Sequence, residues 1–419
     1  MDTSSILARN RAISAALLST RNRRKSQICK TYKIKVDTSA LTAQQQEQLT
    51  RMFLEAKWLY NDILNWSNLS EDNSPFNYTI GNTVYVRMPN GELQPRQLTT
   101  IPVHMKQGVQ KQICGNIKML ARLKQNGKQH PGALKFKSEV NVLHMHQLRS
   151  NFIRKNKHAV KIPNVAGSVR VTGLDQIPLG VEYACAQLIN SPKGYYLHIV
   201  TYTDKSKYTP KSPQKDILGI DFGCNTNFTL STGEKINCIV EESERLKRLQ
   251  RKLSRQVKGS NNYKRTVHLI RIEYQKMTNR KDDLANKLVN KFNNYQQIVI
   301  QDEQLRLWKV GGHGKVVYHS VLGRVKSKLV RQDNVTILDR WFPTTKLCTN
   351  CGVVHSNMSV RERIFSCSCG VSEDRDVHSA KTMIWLYQHV GVGCTDIKHV
   401  ELKSLPDELT YLANFNCEA

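Results

Sequence analysis

"ILGIDFG", Ile217 to Gly223, is the stretch on which the fold turns. It is a short apolar run ending on one carboxylate, Asp221, and reads as a buried strand. Downstream, "NFTLSTGEKI" (Asn227 to Ile236) predicts a second strand with a Ser-Thr-Gly turn. "QQIVIQDEQL" (Gln296 to Leu305) is another apolar strand, ending on Asp302 and Glu303, and "VTILDRWFP" (Val335 to Pro343) is a further one. Two long charged helices, Glu241 to Gln256 and Lys264 to Phe292, lie between the second strand and the third. "DVHSAKTMIW" (Asp376 to Trp385) then reads as the first turns of a helix entered through Asp374 and Asp376. Three acids stand out at element ends: Asp221, Glu303 and Asp376. Any one of them alone would more often be a cap than chemistry, and capping is a compatible second role for Asp376.

Upstream the pattern differs. "KTYKIKVD" (Lys30 to Asp37) alternates like a strand. Leu49, Met52, Phe53, Ala56, Tyr60, Ile63 and Leu64 then mark one face of a helix. The stretch from Ser67 to Pro102 is polar and turn-rich, and a second amphipathic helix from Val103 ends near Gly127. Short strands follow as far as about Asp204, among them "AVKIPNV" and "GYYLHIVTYT". This half reads as a β-barrel whose first strand is separated from the others by a helical insertion.

Charge sets the class of partner. Lys and Arg number 63 against 34 Asp and Glu, a formal charge of +29, and nucleic acid is the polyanion that such a balance suits. No apolar run reaches membrane-spanning length, so no membrane partner is expected. The first thirty residues are strongly basic and read as a disordered arm that touches nucleic acid. Of eleven cysteines, seven are scattered and four cluster: Cys348, Cys351, Cys367 and Cys369. That is the usage of a reducing compartment with one metal site, and four thiols within 22 residues favour Zn²⁺. His355 is a spare candidate ligand.

Together the three acids resemble the RNase H-like nuclease pattern, in which carboxylates converge on two divalent cations; hard oxygen ligands suit Mg²⁺. The order "GIDFG", "EQL" (Glu303 to Leu305), "PTTKLCTNCG" (Pro343 to Gly352), a second cysteine pair and "DRDVHSAKTM" (Asp374 to Met383) is similar to the TnpB-type RuvC nucleases. These are transposon-associated RNA-guided endonucleases related to the miniature type V CRISPR effectors. The resemblance covers roughly residues 30–390. It selects Glu303 over Asp302 and Asp376 over Asp374. Two departures are visible: the second cysteine pair, "CSC", is one residue short, and the family's Asn-Ala-Ala is His378-Ser379-Ala380.

The resemblance implies an α+β multidomain chain. A basic N-terminal arm (1–29) precedes a wedge β-barrel (30–45 and 130–210) with a helical recognition insert (46–129). An RNase H-like RuvC α/β nuclease domain follows (211–342 and 371–390), with a zinc-knuckle insertion (343–370) and a C-terminal tail (391–419). Asp221, Glu303 and Asp376 would be catalytic ligands of two Mg²⁺ ions, and Cys348, Cys351, Cys367 and Cys369 would hold one structural Zn²⁺. The partners implied are a guide RNA and target double-stranded DNA cut beside a short flanking motif, the protein being a monomer or homodimer on the guide. The expected location is prokaryotic cytoplasm, with nucleoid association when engaged. Trp308, Trp341 and Phe342 are candidates for stacking on single strands, although the latter two, ending an apolar strand, fit a core role better. The alternatives are a guide-directed repressor with weak or no cleavage, which should have lost an acid, and a RuvC-type DNA-structure resolvase, which needs neither barrel nor knuckle.

Overall fold

A computed structural model describes residues 3–88, 90–127, 132–146, 153–154, 156–207, 213–355, 358–359, 361–390 and 399–400. The chain divides into two compact units, Met1–Thr209 and Pro210–Ala419, each of mixed α and β structure.

The first unit opens with helix α1 (Thr3–Lys25), where a disordered arm was expected. The physical reason is local: residues 1–30 contain neither Gly nor Pro, and Arg23, Arg24 and Lys25 complement the dipole in the last turn. Strand β1 (Gln27–Val36), helix α2 (Ala43–Ser67), strands β2 (Thr83–Arg87) and β3 (Leu93–Gln97) and helix α3 (Val103–Gln125) follow. Then come β4 (Val142–Met145), β5 (Ile153–Arg154), β6 (Ala159–Lys161), β7 (Val169–Thr172), β8 (Glu182–Ser191) and β9 (Gly194–Asp204). Seven of these strands form one sheet in the order β4-β8-β9-β1-β7-β6-β5. β1 lies inside it, antiparallel to β9 from Gln27↔Asp204 to Lys35↔Tyr196. The expected barrel is not closed among the described residues: β4 and β5 are the edges, with no pairing between them.

Every residue of the predicted α2 stripe is buried. The helix starts on a capping box in which Thr42 and Gln45 exchange hydrogen bonds. Two buried carboxylates of α2 organise the insert. Glu55 accepts from the amides of Thr99, Thr100 and Ile101 just before α3, and Asp62 accepts from the Tyr78 hydroxyl and the Tyr85 amide. The stretch read as polar and turn-rich contains the β2–β3 hairpin, which closes near Asn90-Gly91.

The second unit contains β10 (Lys215–Phe222), β11 (Phe228–Leu230), β12 (Lys235–Ile236), α4 (Glu244–Ser254), α5 (Asn261–Phe292) and β13 (Tyr295–Gln301). They are followed by α6 (Leu305–Trp308), α7 (Gly314–His319), α8 (Leu322–Leu329), β14 (Val335–Leu338), the small hairpin β15 (Ile364–Ser366) and β16 (Ser372–Asp374), α9 (Arg375–Val390) and β17 (His399–Val400). Its main sheet runs β12-β11-β10-β13-β14-β17. The first three strands are antiparallel neighbours, and β10, β13, β14 and β17 are parallel. The expected C-terminal tail lies outside the described residues except for β17, which joins this sheet.

Period-two alternation sorts the side chains to two faces. Leu218, Ile220, Phe222, Ile298 and Ile300 pack in one core cluster with Leu288, Phe292 and Leu329. Val299 and Leu338 pack in another with Met383 and Leu386 of α9. Asp221 and Gly219 therefore share the α9 face. No described helix is long and apolar enough to cross a membrane.

Candidate active site

Gly219 permits the close approach of α9 to β10. A Cβ there would lie 1.9 Å from the Ala380 carbonyl oxygen, so only glycine allows the helix backbone this near. The result brings Ser379 within reach of Asp221: its Oγ stands 3.2 Å from Asp221 Oδ1. Asp376, Ser379, Ala380 and Met383 follow the i, i+3, i+4, i+7 spacing of one helix face.

Asp221 lies close enough to Asp376 and Glu303 to feel both charges. Burial, then the charges of Asp376 and Glu303, push the Asp221 carboxyl up to about 8. Burial also raises Glu303, against the pull of Lys326. Their sequence neighbours behave differently. Asp302 is paired with Lys326 at 2.9 Å and with Arg340 at 3.5 Å. Burial would raise Asp374, but Lys235 at 2.7 Å and the amides of Val377 and Asp376 hold it below its usual range. Asp374 thus caps α9, a role the sequence had left with Asp376. An oxygen-only donor set suits a hard divalent cation.

Behind Asp221 runs a buried polar chain that the sequence did not reveal. Ser379 Oγ is 3.0 Å from Thr344 Oγ1, which is 3.0 Å from Gln301 Oε1. Gln301 Nε2 donates to the carbonyls of Asp339, Arg340 and Phe342. The one available signal was the three-residue step from Asp376 to Ser379, which places both on one helix face.

The four clustered cysteines converge. Their Sγ atoms all lie within 4.8 Å of one another, with Cys348–Cys369 at 3.5 Å and Cys351–Cys367 at 3.6 Å. Tetrahedral Zn–S bonds of about 2.3 Å would put sulfurs roughly 3.8 Å apart, so the donor set fits zinc. The short "CSC" pair reaches the centre through a tight turn. The Cys367 and Val371 backbones bond across it at 2.8 Å, and Gly370 takes a left-handed φ of 95°. Burial pushes the Cys348 thiol up to about 12, whereas Asn350 and the Val371 amide pull Cys369 down to about 6. His355 packs edge-on against Phe365 and is not among the clustered donors.

His378 fastens this knuckle to α9. The buried ring stacks on Phe365 at 3.6 Å between centroids, with Nε2 2.8 Å from the Leu347 carbonyl and Nδ1 2.9 Å from Glu373. Of the aromatic candidates, Phe342 is core and Trp308 packs partly against the sheet. Trp341, expected in the core, is 59% exposed, because it falls in the turn after β14 rather than in the strand.

Known proteins share parts of this sequence. Residues 198–306 match the family described as "Probable transposase" (OrfB_IS605), and residues 318–383 match "Cas12f1-like, TNB domain". The chain is 33% identical over 218 residues to "Putative RNA-guided DNA endonuclease" of Streptomyces pristinaespiralis, covering 50% of this chain and 54% of that protein. It is 32% identical over 153 residues to "Putative RNA-guided DNA endonuclease InsQ" of Escherichia coli (strain K12), covering 35% and 37%. The chain thus spans about half the length, or less, of these curated relatives. A chain in the cryo-EM structure of a Cas12f1-sgRNA-target DNA complex aligns with TM-score 0.49 and 10% identity, over 85% of this chain and 99% of that one. The resemblance to TnpB-type nucleases and miniature type V effectors is borne out by these matches.

Proposed function

We propose that this chain is an RNA-guided endonuclease that cuts double-stranded DNA beside a short flanking motif. Asp221, Glu303 and Asp376 would be the carboxylates of a single RuvC site. The observation that carries the reading is a buried Asp221 beside two further acids: in a chain of charge +29, burial and then the charges of Asp376 and Glu303 push its carboxyl up to about 8. The strand order β12-β11-β10-β13-β14, antiparallel and then parallel, supports an RNase H-like core. The curled sheet of the first unit would be the wedge, α2 to α3 the recognition insert, and 343–370 the zinc knuckle held by Cys348, Cys351, Cys367 and Cys369. The names of the two relatives support guide RNA and DNA as partners.

Bound among these carboxylates, two Mg²⁺ ions would supply an activated water and charge neutralisation for phosphodiester hydrolysis. The chain's own residues do the rest. Asp221 is fixed from behind by Ser379, and Asp374 holds the start of α9 so that the Asp376 carboxylate is not used as the cap. Lys326 and Arg340 neutralise Asp302 and place positive charge beside Glu303, where a phosphate would be attracted.

The test is cleavage of a defined duplex with copurified RNA. Asp221→Ala, Glu303→Ala and Asp376→Ala should each abolish Mg²⁺-dependent cutting and leave guide and target binding largely intact, while Asp302→Ala should be milder. Cutting that survives RNase treatment with unchanged site choice, or that prefers branched DNA, would point to a resolvase. Guided binding without any cutting would point to a repressor.

A further inference from the structure

We propose that Ser379 is a positioning residue for Asp221, held in place through Thr344 by Gln301; this rests on reading Asp221 as a cation ligand. The three residues are almost fully buried, at 0%, 4% and 4% exposure. Buried hydroxyls need partners, and this chain of partners ends on one ionisable group. Gln301 sets its direction. With Nε2 facing three carbonyls, its Oε1 must face Thr344, so the Thr344 hydroxyl donates to Gln301. Thr344 then has no proton for Ser379 and can only accept. The single Ser379 proton is shared between two acceptors, Thr344 Oγ1 at 3.0 Å and Asp221 Oδ1 at 3.2 Å, so the serine is tied to both.

The relay joins the elements that carry the acids. Gln301 ends β13 two residues before Glu303, Ser379 lies one turn after Asp376, and Asp221 is the penultimate residue of β10. Gln301 also clamps the 339–342 turn that leads into the knuckle. Packing alone does not ask for the hydroxyl, since the TnpB-type motif has alanine at this position and alanine is the better helix former.

The test is Mn²⁺ titration of the full chain with its copurified RNA, read as free Mn²⁺ by electron paramagnetic resonance and run beside thermal melts. Ser379→Ala and Thr344→Val should each weaken Mn²⁺ binding about 5–10-fold, the worth of one ordinary hydrogen bond. The double variant should be no weaker than the weaker single one, and Thr344→Ser, which keeps the hydroxyl, should match the parent. Unchanged affinity in Ser379→Ala, with affinity lost in Asp221→Ala, overturns the relay alone. Unchanged affinity in Asp221→Ala overturns the cation-site reading and the relay with it. Equal behaviour of Thr344→Ser and Thr344→Val, or additive losses that only track a falling melting temperature, would reduce the chain to packing and also overturn it.

Discussion

Asp221 carries its charge at a cost, because its folded carboxyl is pushed up to about 8 by burial and by Asp376 and Glu303. The sign follows from linkage. Above the ordinary carboxyl range the unfolded chain has released this proton and the folded chain has not. The stability Asp221 contributes is therefore complete below about pH 4 and lost as pH rises through 8, a matter of a few kcal/mol. In metal-free protein the melting temperature should fall between pH 5 and 8, and Asp221→Asn or added Mg²⁺ should flatten that slope. An identical slope in Asp221→Asn would remove Asp221 as its source. At this scale the acids were legible because each follows an apolar run or opens a helix. Gln301, Thr344 and Ser379 were not, because a strand end, a loop and a helix meet only after packing.

At the scale of elements, α9 is the part on which the site depends. Gly219→Ala would drive a methyl into the Ala380 carbonyl, so α9 must lift from β10, at a cost at or beyond about 3 kcal/mol. The expected result is a lower melting temperature together with lost cutting; an unchanged melt would show that the helix approaches less closely. His378→Ala should act from the other side, leaving the Leu347 carbonyl and Glu373 without the ring and costing about 2–4 kcal/mol. Its readout is faster zinc release to a chromogenic chelator, and a release rate equal to the parent's would show that the knuckle does not lean on α9. The α2 stripe was fully legible from its period, since all seven predicted positions are buried. The β2–β3 hairpin was overlooked although Asn90-Gly91 signalled it, because the prolines around it read as loop. The helicity of α1 was hidden by its charge, which suggested disorder more strongly than the lack of Gly and Pro argued against it.

For the whole molecule, the charge of +29 means that binding to any nucleic acid should be tight at low salt and fall steeply as salt rises. Nonspecific affinity is thus uninformative, and the decisive assay compares matched with mismatched targets at moderate salt. Mismatches near the flanking motif should hurt most, because pairing would start there; equal cutting of both targets would sink the guided reading. The placement of β1 has a consequence for synthesis. Its partner β9 ends 177 residues later, by subtraction of Gln27 from Asp204. A ribosome adding about 5–20 residues per second needs roughly 10–35 s to make that stretch. Throughout that interval the first strand has no β9 edge to pair with, and such long-range pairings are intrinsically slow to form. Ribosome-arrested chains of about 190 and 250 residues should therefore differ sharply in protease resistance of the first unit, since only the longer exposes all of β9. Equal resistance would mean that the sheet assembles without that strand.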